Sequence, residues 1–177
     1  ELADPFLDLW DVNIGSFYNT AEITPSRNAP TYYMREYTQH VKVHTRKPVV
    51  GVGRLTNPDL MVGIIRRGEL DLIGGARPSI ADPFLPKKIE EGREDDIREC
   101  IGCNLCLQRG AIGTGIACTQ NATAGEEYRR AWHPEKFSRA SNADSTVLVV
   151  GAGAAGLECT RVLGERGFEG IHLVDAA

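Results

Sequence analysis

The first eighty residues alternate short apolar runs with stretches of helical period. Residues 9–15, with Leu9, Trp10, Val12 and Ile14, predict a short buried strand. A polar loop over 16–28 follows, marked by Pro25 and closed by Pro30. Tyr33, Tyr37, Val41 and His44 then recur at three- and four-residue steps, so one face of a helix is expected there. Residues 47–53 predict a second strand, with Pro48 at its entry, where a missing N–H matters least. Asn57 and Pro58 supply a cap and a first-turn proline for a helix running to about Arg67 and stopping at Gly68. Residues 70–75 predict a third strand. Near-continuous apolar strands separated by helices imply βαβ units and a parallel sheet.

Beyond this point the pattern changes. Residues 83–96 are charged and predict a helix with Pro86 near its start. Residues 100–118 are rich in glycine and read as a loop wrapped around something. Residues 138–145 are polar without period and read as a linker. A new unit then begins: a buried strand over 147–150, a glycine-rich turn, a helix over 155–166 ending before Gly167, and a second strand over 171–174. The fold class is α/β, with expected boundaries at 1–98, 99–140 and 146–177.

A chain of 177 residues is long enough for one domain or pieces of two. Its net charge of −4 offers no electrostatic reason to bind nucleic acid or anionic lipid. No apolar run reaches the roughly 18 residues that a membrane helix needs. The first residues lack the layout of a signal peptide, so a cytoplasmic protein is expected, with the chain beginning in mid-fold.

The candidate chemistry starts with five cysteines, four of them spaced C-x2-C-x2-C-x11-C. An odd number without a secretory leader speaks against a disulfide framework and for metal ligation. Zinc sites pair two C-x2-C knuckles far apart. The run Cys100, Cys103 and Cys106, with Cys118 closing from a distance, suits a 4Fe-4S cubane, because one loop can wrap three corners. Zinc and free thiols remain the alternatives. Cys159 reads as a small buried core residue.

The glycines Gly151, Gly153 and Gly156 sit between a strand and a helix, and Asp175 follows Gly151 by 24 residues at the tip of the next strand. This is the dinucleotide fingerprint in its required context. Gly151 would make the tight turn, Gly153 admit the pyrophosphate, Gly156 bring helix to strand, and Asp175 accept from a ribose hydroxyl.

Gly53 and Arg54 follow the second strand, and Gly74, Gly75, Ala76 and Arg77 follow the third. Glycine lets a backbone approach an anion, and arginine forks onto phosphate oxygens. In (β/α)8 barrels the loops after the last two strands commonly bind phosphate. Tight turns with solvated arginines are the competing reading. A barrel of roughly 250 residues would need further strands upstream. Asp11 and Glu22 would lie at its catalytic end. His40 and His44, one turn apart, read as a helix face. The sequon at Asn121 is one that a cluster-bearing cytosolic chain would not use.

The run GGARPSIADPFLP at 74–86 resembles the flavin-binding end of the old yellow enzyme barrel, the NADH:flavin oxidoreductase family. The runs CIGCNLC at 100–106, CTQNATAGEEY at 118–128 and WHPEK at 132–136 are similar to the trimethylamine, dimethylamine and histamine dehydrogenase group of that family. The resemblance implies the C-terminal part of a (β/α)8 barrel carrying FMN, a 4Fe-4S cluster on the four clustered cysteines, and the start of a Rossmann-like domain holding ADP, FAD or NAD(P). It places Arg77 on the FMN phosphate, helped by Gly53, Arg54 and Ala76, and gives Glu22 the role of orienting a small amine. It implies oxidative deamination or N-demethylation, with electrons passing from FMN through the cluster to electron-transferring flavoprotein. A homo-oligomer is expected. The group's loop tryptophan, which grips a methylated cation by cation–π contact, has no counterpart here. Phe17 and Tyr18 stand in that loop instead, which puts trimethylamine itself in doubt and leaves another amine open. Two rivals are an NAD(P)H-dependent enoate reductase of the 2,4-dienoyl-CoA reductase type and a non-catalytic zinc-stabilised or electron-transfer module.

Overall fold

The computed structural model describes residues 4–16, 18–133, 135–136, 138–151 and 154–174. The chain divides into two units, Glu1–Asn104 and Leu105–Ala177.

In the first unit, β1 (Trp10–Val12), β2 (Val49–Gly51) and β3 (Leu72–Ile73) form a parallel sheet in that order. Trp10 pairs with Val49, and Val50 pairs with Leu72. Parallel neighbours need crossovers; α2 (Arg35–His44) and α3 (Pro58–Arg66) provide them. Asn57 caps α3 as expected, its side-chain oxygen accepting from the Leu60 N–H at 2.9 Å. The strands are shorter than the apolar runs, because the chain turns through left-handed glycines soon after β1 and β2 (Gly15, φ +97°; Gly53, φ +132°).

Val12, Tyr32, Val49, Leu55, Ile64 and Leu70 form the buried core of this unit. A Cβ at Gly51 would lie 2.6 Å from a Leu70 methyl carbon, so glycine is what lets Leu70 reach the sheet. The buried side of α2 agrees with the expected one at Val41, which packs against this core, and differs from it towards the start of the helix. Met34 and Thr38 are fully buried, whereas Tyr37 is 51% exposed. Thr38 can be buried because its hydroxyl donates to the Arg35 carbonyl at 3.0 Å and meets the Tyr32 hydroxyl at 3.2 Å.

After β3, the chain forms α4 (Ala76–Ala81), α5 (Leu85–Glu90) and a 3-10 turn at Glu94–Asp96. The single helix expected over 83–96 is therefore interrupted, at left-handed Gly92 (φ +67°). Asp82 and Lys88 tie this region together. The buried Asp82 carboxylate accepts from Lys88 Nζ at 2.7 Å and from the N–H groups of Phe84 and Arg98, each at 3.0 Å. Lys88 also donates to the Asp96 carbonyl at 2.6 Å.

The second unit contains α6 (Leu105–Ala111), α7 (Glu127–Arg130), β4 (Val147–Val150), α8 (Ala154–Glu165) and β5 (Ile171–Val174). β4 and β5 pair in parallel from Val147 with Ile171 to Val150 with Val174, and α8 is the crossover between them. Leu148 and Val150, expected to be buried, are 64% and 66% exposed. One helix covers only one face of a two-stranded sheet. The segment 138–145 is held rather than free. Ala143 is buried, and the Ala140 N–H donates to the Arg166 carbonyl at 2.8 Å. Among the described residues no helix is long and apolar enough to cross a membrane.

Candidate functional site

Arg54 and Arg77 stand after adjacent strands of the first unit, and both are half-buried. Left-handed backbone at Gly53 and Arg54 (φ +132° and +58°) turns the chain sharply after β2. Such a conformation is unusual for a residue other than glycine. Arg54 Nη1 donates to the carbonyls of Arg27, at 3.1 Å, and Ala29. Arg77 lies in the first turn of α4, a helix that the glycine-rich sequence concealed. Its Nη1 donates to the Pro25 carbonyl at 2.7 Å and to Asn104 Oδ1 at 2.6 Å. Each guanidinium is thus fixed through one nitrogen on neutral oxygens. Among the described residues, no carboxylate pairs with either, and nothing accepts from their Nε or Nη2. An arginine edge left open in this way matches an oxyanion bidentately.

Glu22 lies in the short helix α1 (Thr20–Ile23), beyond the C-terminal end of β1, and accepts from Asn19 Nδ2 at 2.6 Å. Tyr33 staples this turn by donating to the carbonyls of Glu22 and Ile23 at 3.1 and 3.0 Å. Burial raises the Tyr33 phenol, and the positive charge of Arg77 partly offsets that rise. The loop with the candidate acid is therefore fastened beside the arginines. Asp11 is an exposed residue of β1, and Tyr18 is also exposed. Phe17 lies outside the described residues.

Cys100 and Cys103 belong to the first unit, Cys106 and Cys118 to the second. The five cysteines form no disulfide. Cys103 is flanked by two left-handed residues, Gly102 (φ +67°) and Asn104 (φ +61°). The region is not irregular throughout, because Cys106 sits in α6. Leu105, Gln108, Arg109 and Ala111 are adequate helix formers, and their exposed pattern gave no periodic signal. Among the described residues no three His, Cys, Asp or Glu side chains gather as a site for one metal ion. The donor set nonetheless fits an iron–sulfur cluster. Residues 100–118 contain no Asp, Glu or His, so their strong ligands are the four thiols. The Gln120 N–H also reaches Cys118 Sγ at 3.4 Å, a contact that favours thiolate. Asn121 is buried, and its side-chain oxygen accepts from the Thr123 N–H and hydroxyl, so the sequon belongs to the core of a turn.

In the second unit Gly151 is left-handed (φ +104°), and its N–H donates to the Val174 carbonyl at 2.6 Å, joining the glycine turn to the end of β5. A Cβ at Gly156 would collide with the Gly151 carbonyl oxygen, as close helix–strand packing demands. Gly153 and Asp175 lie outside the described residues. Gly156→Ala is expected to push α8 away from the turn, destabilising this unit by about 1–3 kcal/mol. A thermal melt of the full-length protein checks this; an unchanged midpoint would show that the helix yields freely. Cys159, expected in the core, is exposed instead. It lines a cavity of about 650 Å³ with Cys118, Ala122 and Val162.

Asn104, Asp82 and Lys88 escaped the sequence reading. An asparagine between two cysteines carries no signal of its bond to an arginine 27 positions earlier.

The model of the NADH:flavin oxidoreductase / NADH oxidase family matches residues 1–96. The chain is 58% identical to dimethylamine dehydrogenase from Hyphomicrobium sp. (strain x), over 99% of this chain and 24% of the relative. The structure of histamine dehydrogenase from Rhizobium sp. 4-9 superposes with a TM-score of 0.89 at 46% identity, covering 99% of this chain and 25% of that one. The structure of 6-hydroxypseudooxynicotine amine oxidase from Pseudomonas geniculata N1 gives a TM-score of 0.89 at 49% identity, covering 99% and 26%. The chain thus spans about a quarter of the length of these relatives. With its parallel βα units and paired arginine turns, it belongs to the NADH:flavin oxidoreductase / NADH oxidase family.

Proposed function

We propose that the chain is part of an iron–sulfur flavoprotein amine dehydrogenase, and that it holds the FMN phosphate and the cluster. The observation that carries this reading is the pair Arg54 and Arg77, half-buried cations fixed on neutral oxygens without a described carboxylate. Removing a charge from water without a counter-charge is costly, and a phosphate dianion offsets that cost. Residues 1–98 are then the last βα units of a (β/α)8 barrel, 99–140 the cluster segment, and 146–177 the opening of a Rossmann-like domain for ADP, FAD or NAD(P).

In this reading the open edges of Arg77 and Arg54 hold the phosphate, with the backbone at Gly53 and Ala76 alongside. Cys100, Cys103, Cys106 and Cys118 hold the cluster. When bound, FMN accepts a hydride and the cluster passes electrons on one at a time. A small amine that gives up a hydride becomes an iminium cation, which water splits into an aldehyde and a smaller ammonium. The Glu22 carboxylate orients the amine. Electron-transferring flavoprotein is the expected acceptor. The names of relatives at 46–58% identity, all acting on amines, favour this reading over an enoate reductase.

Two measurements on the full-length protein test the reading. Without oxygen, an amine should bleach the flavin absorbance, whereas bleaching by NADH or NADPH alone would make the protein a reductase. Arg77→Ala should weaken FMN binding about 10- to 100-fold, the equivalent of one hydrogen bond to a charged group. Riboflavin, which lacks the phosphate, should bind as before. Equal loss of both ligands would refute the phosphate assignment.

A further inference from the structure

Both arginines lean on the same loop, and the cysteine run leans on it too. Residues 24–29 supply carbonyls to Arg54 from Arg27 and Ala29, and to Arg77 from Pro25. From the cysteine run, the Gly102 carbonyl accepts from the Arg27 N–H at 3.1 Å. Asn104 Nδ2 donates to the Thr24 carbonyl at 2.8 Å, while its Oδ1 accepts from Arg77 Nη1 at 2.6 Å. A Cβ at Gly102 would come within 3.0 Å of the Arg27 nitrogen and 3.3 Å of Arg54 Nε. The backbone beside Cys103 is therefore latched, through Gly102 and Asn104, to the loop that fixes both guanidinium groups.

We infer that Asn104 is a positioning residue for the phosphate site. Its amide uses both ends: the N–H holds the loop and the oxygen holds one nitrogen of Arg77. With Pro25 taking the other hydrogen of Nη1, the Nε–Nη2 edge is left for the ligand. A neutral amide oxygen suits this task better than a carboxylate, which would neutralise the guanidinium and compete with phosphate. Asn also accepts the left-handed backbone that places the amide there (φ +61°). The cysteine loop and the anion site are thus one piece of structure, and phosphate affinity depends on a residue between two cluster thiols.

This inference rests on the FMN reading, and the test separates the two. Full-length protein is prepared free of flavin with its iron and acid-labile sulfide counted. FMN and riboflavin are titrated separately by quenching of flavin fluorescence. The variants are Asn104→Gly, which removes the amide and keeps the left-handed backbone at no steric cost, and Arg77→Ala. Asn104→Gly should weaken FMN about three- to tenfold, less than Arg77→Ala, because Arg77 keeps its charge and its bond to the Pro25 carbonyl and loses only its positioning by the amide. Riboflavin affinity, iron and sulfide should be unchanged. If Arg77→Ala weakens FMN and Asn104→Gly does not, the positioning role is wrong while the FMN reading stands. Parallel loss of FMN and riboflavin, or loss of iron, in Asn104→Gly overturns the positioning role in favour of a general one. If Arg77→Ala leaves FMN affinity unchanged, the phosphate reading fails and this inference fails with it.

Discussion

Cys103→Ala in the full-length protein is expected to leave the flavin reducible by amine while electron delivery to an external one-electron acceptor falls to background. Cys103 is the middle thiol of the run, and left-handed residues on both sides give it a place in a tight loop. In the proposed reading the cluster relays electrons singly from the flavin to that acceptor, and loss of one thiolate would leave one of its iron corners without a protein ligand. The proposed flavin site keeps Arg54, Arg77 and Asn104, so the reductive half of the proposed reaction should survive. Anaerobic bleaching by amine, followed by acceptor reduction at steady state, separates the halves. Undiminished export in this variant would show that electrons leave the flavin by another route.

Asp82→Asn should cost about 3–5 kcal/mol of stability, because breaking one partner of a buried pair strands the other charge. Lys88 and Asp82 are 1% and 0% exposed. Burial by itself would raise the Asp82 carboxyl, but the Lys88 ammonium and the N–H groups of Arg98 and Phe84 outweigh it and hold it below the ordinary range. The unfolded carboxyl titrates near pH ~3.9. Because the folded value is lower, the stabilisation is fully present above that pH and is lost as pH falls through the folded value. Asn at 82 removes this acid dependence. Denaturant unfolding of wild type and variant between pH 3 and 7, run on the full-length protein, measures both effects. Curves that coincide at neutral pH would refute the pair's role, and curves that differ equally at every pH would refute its ionic nature. Replacing Lys88 by Met in the same variant should recover part of the loss, since the Lys88 ammonium is gone while the buried Arg98 guanidinium, 3.9 Å from the carboxylate oxygen of Asp82, keeps its charge.

Much of the fold was legible because local rules acted alone. Asn57, Pro58 and Gly68 mark the ends of α3 by capping chemistry, which needs no tertiary partner. The parallel order followed from apolar runs too continuous for a one-sided sheet. Other features were hidden. The helix α4 is six residues long and holds a proline, and α6 has no buried residue, so neither shows an apolar period. The inward face of α2 passed through Thr38 because a hydroxyl with partners is as buriable as a tyrosine that can keep its ring partly wet.

The amino-acid sequence by itself determined where the strands and main helices fall, that they pair in parallel, and which side chains are able to ligate metal or fork onto phosphate. Those properties are set by neighbours along the chain and by the chemistry of single residues. Tertiary structure alone decided how Arg54 and Arg77 are used. Their partners are carbonyls of residues 25–29 and the amide of Asn104, groups that lie 25 to 52 positions away from them. A main-chain carbonyl is the same in every residue and leaves no mark in a sequence. Only the folded path shows which of them meet an arginine, and therefore which edge of that arginine is left open.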